Sequence, residues 1–414
     1  MIRAQILSLI LVGSSACLSQ PGIGQTPEPP TQWKYLFNGI NLDGWVNING
    51  DDTTWTASDG MIRCTGKPIC ALRTLDKYEN FILELEWRHL KSGGNAGVFL
   101  WAAAEPATGQ PFLRAIEVQV LDHGYGKSDW FTTHGDVFPI HGSSMKPFPP
   151  SRGMRSFPSE SRSLGAPEWN HYRIECLNGT LRLSVNGKEV SGGSDCTYRK
   201  GFIALESEGS PVDFKNIRIK KLPDSGDLTS DMTAPDPGGY IPLYNGVDMD
   251  GWITTKDSLK IFKPSDWRLA VHSSAEPQVI WSRYHASSDS PETIDFFFDI
   301  KVPESMDLTQ SNAGGLVFFN ADKPAVSFGP MDGVVQLNDQ MVTPGKWTRI
   351  HGSIRKNIIQ LDSGENSQIL TIPVEATETE DKSTEPGEFL PVLGIQSPAG
   401  TENIVEYANI FVRQ

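Results

Sequence analysis

The sequence lacks three features that would assign it to common protein classes. It has no basic excess, since 36 Lys and Arg against 50 Asp and Glu give a net charge of -14. This argues against nucleic acid or an anionic membrane as a partner. The apolar run 6–12 is too short to span a bilayer. No stretch keeps a helical period, so a helical bundle is not expected. With 9% aromatic and 21% charged residues, the composition is that of a globular protein.

The first residues have the pattern of an export signal. Arg3, the apolar run 6–12 and the small residues 13–16 predict a signal peptide over 1–16. Residues 17–32, rich in Pro and Gly, then read as a tether. We therefore expect a secreted or periplasmic protein. A lipid anchor at Cys17, holding it at a bacterial outer membrane, is an open alternative, although Ser14 stands where such signals usually carry Leu.

Cysteine is scarce, with five residues in the whole chain. The four beyond Cys17 all lie in the first half. In an oxidising compartment the simplest pairing joins Cys64 to Cys70 and Cys176 to Cys196. Four buried free thiols are the alternative.

What the chain does have is an internal repeat. LFNGINLDGW at 36–45 returns as LYNGVDMDGW at 243–252, and VDFKNIRI at 212–219 returns as VEYANIFV at 405–412. We call 33–221 the first copy and 240–414 the second, joined by a linker at 222–239 that is rich in Pro, Ser and Gly.

Short alternating runs bounded by Gly, Asn and Pro fill both copies. Segments 81–88, 115–120, 172–176 and 181–185 alternate with period two, and Asn-Gly pairs mark tight turns. The pattern predicts an all-β protein made of two tandem jelly-roll β-sandwiches.

The repeat provides its own control, because features of only one copy are candidates for function. Asn95 to Gln119 and Asn312 to Gln336 both span 24 residues, and in this register Glu117 faces Val334. Gln119 to Trp169 spans 50 residues, whereas Gln336 to Trp347 spans 11. The extra residues contain His, Trp and Arg, which is typical of a site wall rather than a disordered loop.

Two strands supply candidate polar groups. Glu117 and Gln119 share one face of their strand, and Glu86 and Arg88 share a face of another, which predicts a wet, concave groove suited to acid–base chemistry. Ordinary solvent-facing strands are the alternative. Histidines 89, 123, 134 and 141 cluster in sequence. A divalent metal, either Ca²⁺ or a transition metal, stays open, because no tight ligand spacing is present. Trp130 could stack on a sugar ring.

These motifs resemble the 3-keto-disaccharide hydrolase family over residues 33–221. The resemblance rests on LFNGxxLxGW at 36–45, EWR at 86–88, GNAGVF at 94–99, EVQVLD at 117–122, EWN at 168–170 and VDFKNIRI at 212–219. The second copy is similar to a degenerate member. Trp101 departs from the family pattern, where a polar residue is commoner.

The resemblance implies a concanavalin-like jelly roll whose concave sheet acts on glycosides already oxidised to a 3-ketone. Cleavage would proceed by C2 proton abstraction, elimination and hydration. The family motifs place Glu86, Arg88, Asn95, Glu117, Gln119 and Asp122 at the site.

For this reaction we predict that Glu117 or a loop His is the base. Arg88 or Lys146 would stabilise the enolate, and His123 or His134 would assist departure of the leaving oxygen. The predicted substrate-binding residues are Glu86, Asn95, Gln119, Asp122, Trp130, His141 and Lys146. A non-catalytic carbohydrate-binding protein is the alternative. The second copy is expected to have a structural or partner-binding role, so that its deletion would leave activity mostly intact.

Overall fold

The computed structural model describes residues 32–284 except 127 and 133, and then 293–308, 314–320, 323–324, 340–355, 358–364, 366–371, 393–400 and 403–413. The predicted signal peptide, Cys17, nearly all of the tether, and Val334 lie outside the described residues. No helix in the described ranges is long and apolar enough to cross a membrane.

The first half of the chain folds into short strands joined by turns. In chain order they are β1 (Lys34–Tyr35), β2 (Trp45–Ile48), β3 (Trp55–Ser58), β4 (Met61–Cys64), β5 (Cys70–Thr74), β6 (Phe81–His89), β7 (Asn95–Ala102), β8 (Ala115–Leu121), β9 (Val137–Ile140), β10 (Lys146–Phe148), β11 (Asn170–Leu177), β12 (Thr180–Val185), β13 (Lys188–Ser194), β14 (Phe202–Ser207) and β15 (Val212–Lys221).

The second half adds one short helix, α1 (Ser258–Ile261), to a further set of strands. These are β16 (Ile241–Pro242), β17 (Trp252–Ile253), β18 (Phe262–Ser265), β19 (Arg268–His272), β20 (Val279–Ser282), β21 (Thr293–Lys301), β22 (Gly315–Asn320), β23 (Lys323–Pro324), β24 (Thr348–Arg355), β25 (Ile358–Ser363), β26 (Asn366–Thr371), β27 (Leu393–Gln396) and β28 (Ile404–Arg413).

Each half is a sandwich of two antiparallel sheets. The first pairs a nine-stranded sheet, in the order β10-β13-β12-β11-β6-β15-β4-β3 with β1 beside β15, with a six-stranded sheet, β2-β5-β14-β7-β8-β9. Among the described residues of the second half the orders are β26-β25-β24-β21-β28-β19-β18, with β16 beside β28, and β17-β20-β27-β22-β23. The prediction of an all-β sandwich fold is confirmed, and the two halves follow the same strand succession.

A β-bulge at the same place in both halves supports their structural correspondence. The register of β15 shifts beside Asn216, and that of β28 shifts beside Asn409. Both asparagines have a left-handed backbone, with φ of 52° and 48°, a conformation that Asn tolerates better than most residues. The motif VDFKNIRI and its repeat therefore encode one local geometry. The domain boundaries themselves stay predictions.

The core of the first sandwich lies between its sheets, where apolar side chains alternate inward. On β6 the inward residues include Leu83, Leu85 and Trp87, and on β8 they include Val118 and Val120. The outward positions of β8, Glu117 and Gln119, therefore lie on the far side of the six-stranded sheet. The outward positions of β6 lie on the far side of the nine-stranded sheet. Trp101 is completely buried and donates to the Glu79 carbonyl at 2.8 Å.

The four described cysteines are free and buried. The predicted disulfides Cys64–Cys70 and Cys176–Cys196 are not formed in this structure. The alternative of four buried thiols describes it, and burial raises the pKa of the Cys64 thiol to about 11.

The two sandwiches pack against each other through an apolar patch. On the first sandwich the patch includes Phe99, Phe202 and Ala204 from the outer face of the six-stranded sheet, and on the second it includes Phe297 and Phe411. Phe297 and Phe411 stack with centroids 4.8 Å apart. The second sandwich thus covers part of the sheet face that also carries Glu117.

Polar contacts surround this patch and include a buried ion pair. Asp299 is fully buried and accepts from Arg349 Nε at 2.7 Å, from the Gly109 amide at 2.8 Å and from Asn409 at 2.6 Å. Asn49 donates to Asn409 at 2.6 Å. Buried charges are tolerated only when they are well paired. This network therefore fixes how the two sandwiches are oriented relative to each other, in addition to closing their interface.

Candidate functional site

A cluster of three carboxyl groups lies on the outer face of the six-stranded sheet of the first sandwich. Glu117 comes from β8, Glu206 from β14, and Glu208 directly follows β14. Gly97 of β7 lies between the two strands. A Cβ added there would be 2.9 Å from an oxygen of Glu117 and 2.9 Å from an oxygen of Glu206. A side chain at 97 would therefore push the two carboxyl groups from their present positions, so glycine leaves room for the carboxyl groups of Glu117 and Glu206. We call Glu117, Glu206 and Glu208 the carboxyl cluster.

Two amide side chains connect to the cluster. Gln119 donates to Asn95 Oδ1 at 2.9 Å, and Asn95 in turn donates to Glu208. The Gln119 carbonyl accepts from the Tyr172 hydroxyl at 2.7 Å, which ties β8 to the opposite sheet. The chain of hydrogen bonds therefore fixes the position of Glu208 through residues on two strands.

Burial of three acids in one place disfavours their charged forms. Burial, with the nearby charge of Glu208, raises the pKa of Glu117 to about 8, although Arg155 opposes the shift. Burial also raises the pKa of Glu206 well above its usual value, and that of Glu208 to about 7, against the hydrogen bond from Asn95. Carboxyl groups with pKa values near neutrality suit acid–base catalysis.

The three carboxyl groups differ in their access to solvent. Glu117 is 6% exposed and Glu206 is 2% exposed, whereas Glu208 is partly exposed. One oxygen of Glu206 is buried and has no hydrogen-bond partner within the described part of the chain. The cluster therefore reaches solvent through Glu208. The prediction of a wet groove beside Glu117 is wrong as stated.

A cation and an aromatic ring border Glu117. Phe138 of β9 lies opposite Glu117 in the sheet register. The guanidinium of Arg155 packs over the Phe138 ring at 3.4 Å and donates to Asp136 at 2.8 Å. Both flanking residues come from the long insertion of the first copy, which therefore forms a wall of the site.

At the two described positions of the second copy that match Glu206 and Glu208, no carboxyl group is present. Gln396 pairs with Gly315 in the second sandwich, at the place where Glu206 meets Gly97 in the first. Pro398 then stands where the first copy has Glu208. Sequence reasoning missed Glu206 and Glu208, although the alternating carboxylates of ALESEG at 204–209 and their loss in GIQSPA at 394–399 were a readable signal.

Arg88 and Glu86 do not join this site, and the prediction that they share a groove with Glu117 is wrong. They project from β6, in the other sheet, on the opposite side of the sandwich. Arg88 donates to Asp213 at 2.9 Å and packs over Trp169, while Glu86 pairs with Lys215 at 3.3 Å. Period-two alternation placed each pair on one face but could not say to which sheet each strand belongs.

The predicted loop histidines form a separate pair. The rings of His123 and His134 are 4.9 Å apart, and they contact Ser163 and Ser161 respectively, at 3.1 Å and 3.2 Å. Burial and the neighbouring His123 lower the pKa of His134 to about 4, which leaves it neutral at neutral pH.

Asp122 has a structural role beside this pair. It accepts from the amides of Gly93, Gly124 and Ala166 at 2.7–2.8 Å. Burial alone would raise its pKa, but these amides outweigh burial and lower the pKa to about 2. Its carboxylate thus ties three loops together, and a substrate would have to compete with those bonds.

The remaining predicted residues lie apart from the carboxyl cluster. Trp130 is 82% exposed. Lys146 is exposed at the sheet edge and pairs with Asp195 at 2.8 Å. His141 stacks on Phe112 and lines a cleft between the sandwiches. In the described ranges, no group of three or more His, Cys, Asp or Glu side chains is arranged to hold a metal ion. Of the predicted set, Asn95, Glu117 and Gln119 meet at the carboxyl cluster, and Asp122, His123 and His134 meet in a second place.

We expect the cluster to make stability fall as pH rises. An unfolded Glu loses its proton near its ordinary pKa of 4.5, whereas folded Glu117 keeps it up to about 8. Between these values the folded state binds more protons, so the free energy of unfolding decreases with pH. Glu117→Gln should lose the part of this dependence that Glu117 contributes, and should therefore gain stability relative to the wild type between about pH 5 and about pH 9. Melting temperatures of both proteins across this range test the expectation, and equal pH slopes would contradict it.

The first half of the chain is similar in sequence to known proteins. Residues 32–220 match the 3-keto-alpha-glucoside-1,2-lyase-like domain. A curated relative named 3-keto-disaccharide hydrolase, from Bacteroides thetaiotaomicron, is 24% identical, and the match covers 48% of this chain and 81% of the relative. Among solved structures, a putative glycosyl hydrolase from Parabacteroides distasonis is 23% identical with a TM-score of 0.36, covering 46% of this chain and 94% of its own. The carbohydrate-binding module CBM66 from Bacillus subtilis is 12% identical with a TM-score of 0.32, covering 45% and 100%. The resemblance noted in the sequence motifs is confirmed: residues 32–220 match the model of 3-keto-alpha-glucoside-1,2-lyase-like domains.

Proposed function

We propose that the chain is a carbohydrate-active enzyme that cleaves glycosides carrying a 3-ketone, and that the carboxyl cluster performs the chemistry. The family of residues 32–220 and the name of the curated relative support the substrate class. The observation that carries the proposal is the cluster itself. Three acids with raised pKa values lie around Gly97 in the copy that keeps the family motifs, and the sequence of the other copy has Val334, Gln396 and Pro398 at the aligned positions.

The reaction needs a base and an acid of similar strength. A ketone at C3 makes the C2 proton acidic, because the carbanion left behind is an enolate. A base removes this proton, the glycosidic oxygen leaves C1 with a proton from an acid, and water then adds across the new double bond. Groups whose pKa values lie near the working pH perform both transfers best.

The structure of the cluster favours one division of roles. Glu208 is the base, because it is the partly exposed member of the cluster and the hydrogen bond from Asn95 stabilises its charged form. Glu117 is buried, which raises its pKa and favours its protonated form, and it serves as the acid. Hydration reverses both transfers: water supplies a hydroxyl to C1 and a proton to Glu117, and Glu208 returns its proton to C2. The two groups then regain their starting states.

The enolate oxygen needs donors that are fixed before the reaction. Asn95 lies beside Glu208, is held in place by Gln119 and has a second amide hydrogen to donate, and the charge of Arg155 acts on Glu117. Preorganised donors of this kind stabilise developing negative charge without reorganising. The sequence suggested Arg88 or Lys146 as the group that stabilises the enolate. Arg88 pairs with Asp213 and Lys146 pairs with Asp195, so neither residue is assigned this role.

A non-catalytic carbohydrate-binding protein is the second candidate, and the low exposure of Glu117 favours it. The two candidates make opposite predictions for a 3-keto disaccharide. As an enzyme, the wild type forms two monosaccharide products, and Glu117→Gln reduces their formation by about 10²-fold or more while sugar binding survives. Product analysis by chromatography, together with calorimetric binding, tests this. Binding without turnover by the wild type would establish the second candidate.

Export and anchoring remain proposals based on the N-terminal sequence. A signal peptide over 1–16 would deliver the enzyme to the periplasm or the medium. Labelling cells with a lipid precursor and replacing Cys17 by Ser distinguishes an anchored protein from a free one.

A further inference from the structure

The proposed reaction creates a negative charge in a buried place. When Glu117 gives its proton to the glycosidic oxygen, its O–H bond breaks and a carboxylate remains beside Glu206 and Glu208. Glu117 is 6% exposed and Glu206 is 2% exposed, so water solvates this charge poorly. A charge that forms in such surroundings is stabilised best by a counter-charge that is already fixed nearby. An acid at position 117 therefore requires a cation beside it.

A cation, Arg155, lies next to Glu117. Phe138 is directly opposite Glu117 in the pairing of β8 with β9, so the two side chains are neighbours on the outer face of the sheet. The guanidinium carbon of Arg155 is 3.4 Å from the centroid of the Phe138 ring. The positive charge is thus one side chain away from Glu117, and it opposes the effect of burial on the pKa of Glu117.

The Arg155 side chain and the backbone beside it are both held in place. Nη1 of Arg155 donates at 2.8 Å to Asp136, whose side chain is fully buried. The next residue, Ser156, exchanges two backbone hydrogen bonds with Val137 of β9, at 2.8 Å and 3.0 Å. Because the guanidinium is fixed through its partner and through its backbone, it does not have to move when the charge on Glu117 appears.

The other charged groups that act on Glu117 are acids. Among the described residues they are Glu206, Glu208 and Asp136, so Arg155 supplies the positive charge of this set. Both Asp136 and Arg155 belong to the insertion that the second copy lacks, and the sequence of that copy has Val334 at the position of Glu117. The acid and its cation are therefore present together in one copy and missing together from the other.

We propose that Arg155 is a positioning residue for the acid, which stabilises the Glu117 carboxylate formed when the leaving oxygen takes the proton, and that Asp136 holds Arg155 in this position. The inference rests on the proposed function. Arg155 acts through Glu117 and does not have to touch the sugar. Hydration returns a proton from water to Glu117, so the charge that Arg155 stabilises lasts only from elimination to hydration.

A titration of Glu117 tests this role without any turnover. The full chain, isotope-labelled at the Glu carboxyl carbons, is titrated by NMR, and the signal that is missing from Glu117→Gln is that of Glu117. We expect Arg155→Gln to raise its midpoint by at least about one pH unit and Asp136→Asn to lower it, because the two charges act on Glu117 in opposite senses. Arg152→Gln removes an exposed charge from the same insertion and is the matched control, with an unchanged midpoint.

A double variant keeps the test valid if Arg155→Gln does not fold. Removing Arg155 alone leaves Asp136 buried without its counter-charge, which is strongly destabilising. Asp136→Asn with Arg155→Gln replaces the ion pair by a neutral pair of similar size. Its Glu117 midpoint should still lie above that of the wild type, because Arg155 has the larger effect of the two charges on Glu117.

Kinetics on a 3-keto disaccharide provide the second readout. Arg155→Gln should lower kcat at least about tenfold with KM within about threefold, and should move the alkaline limb of the kcat pH profile upwards. Arg155→Lys keeps the charge and should restore part of the rate.

Two results would overturn the role of Arg155. One is a wild-type midpoint for Glu117 in both Arg155→Gln and the double variant. The other is an active wild type whose kcat falls less than about twofold in Arg155→Gln. A wild type that turns over no 3-keto disaccharide refutes the proposed function instead, and the titration then still decides whether Arg155 controls the proton of Glu117.

Discussion

Glu208→Gln should reduce kcat on a 3-keto disaccharide by about 10²–10⁴-fold, which is the range expected for loss of a general base. Glutamine keeps the size of the side chain and can still accept from Asn95, so the fold should persist. What it cannot do is take the C2 proton. Steady-state kinetics measure the loss, and circular dichroism verifies the fold.

The controls for Glu208 separate catalysis from general damage. Glu175→Gln removes a carboxylate from the outer face of the nine-stranded sheet and should leave kcat within about twofold of the wild type. Glu208→Asp keeps the acid but moves it back by one methylene, and should restore part of the rate. If Glu208→Gln turned over at the wild-type rate while the wild type was active, the base would have to be sought elsewhere, with Glu117 as the first candidate.

Removal of residues 240–414 should destabilise the first sandwich strongly. Truncation would expose Phe99 and Phe202, which now pack with Phe297 and Phe411. A fully buried Phe is worth about 1.5–3 kcal/mol relative to an exposed one, so the loss would amount to several kcal/mol and would leave an apolar patch prone to aggregation. Soluble yield and melting temperature of 33–239 against 33–414 measure the effect.

This expectation differs from what the repeat alone predicts. Comparison of the copies indicates that the second one is dispensable for activity, because it lacks the site residues. The interface shows that it also covers part of the sheet that carries Glu117. Phe297→Asp in the full chain tests the interface without truncation, and should lower the melting temperature by several degrees. A monomeric truncated protein that melts like the full chain would show that the interface contributes little.

The sequence predicted local structure better than it predicted which residues meet. Alternation over 81–88 and 115–120 correctly gave β6 and β8, and it correctly put Glu117 and Gln119 on one face. Alternation has no information on which sheet a strand enters, because that depends on contacts between residues far apart in the chain. Glu86 and Arg88 were therefore grouped with Glu117 although a whole sandwich separates them.

The comparison of copies was more informative than residue type. It singled out Glu117 and the insertion that supplies Phe138 and Arg155, and both are present at the site. Applied to β14 it would also have found Glu206 and Glu208. The histidines illustrate the opposite case. His123 and His134 attracted attention as titratable groups, but the fold packs their rings against each other.

The most direct test of whether the carboxyl cluster is the reactive site is a crystal structure of the Glu208→Gln protein soaked with a 3-keto disaccharide. We predict that the sugar lies on the outer face of the six-stranded sheet, with C2 within about 3.5 Å of the residue 208 side chain and the glycosidic oxygen on the side of Glu117. A sugar seated against His123 and His134, or beside Arg88 on the opposite face, would contradict the assignment of the carboxyl cluster as the reactive site.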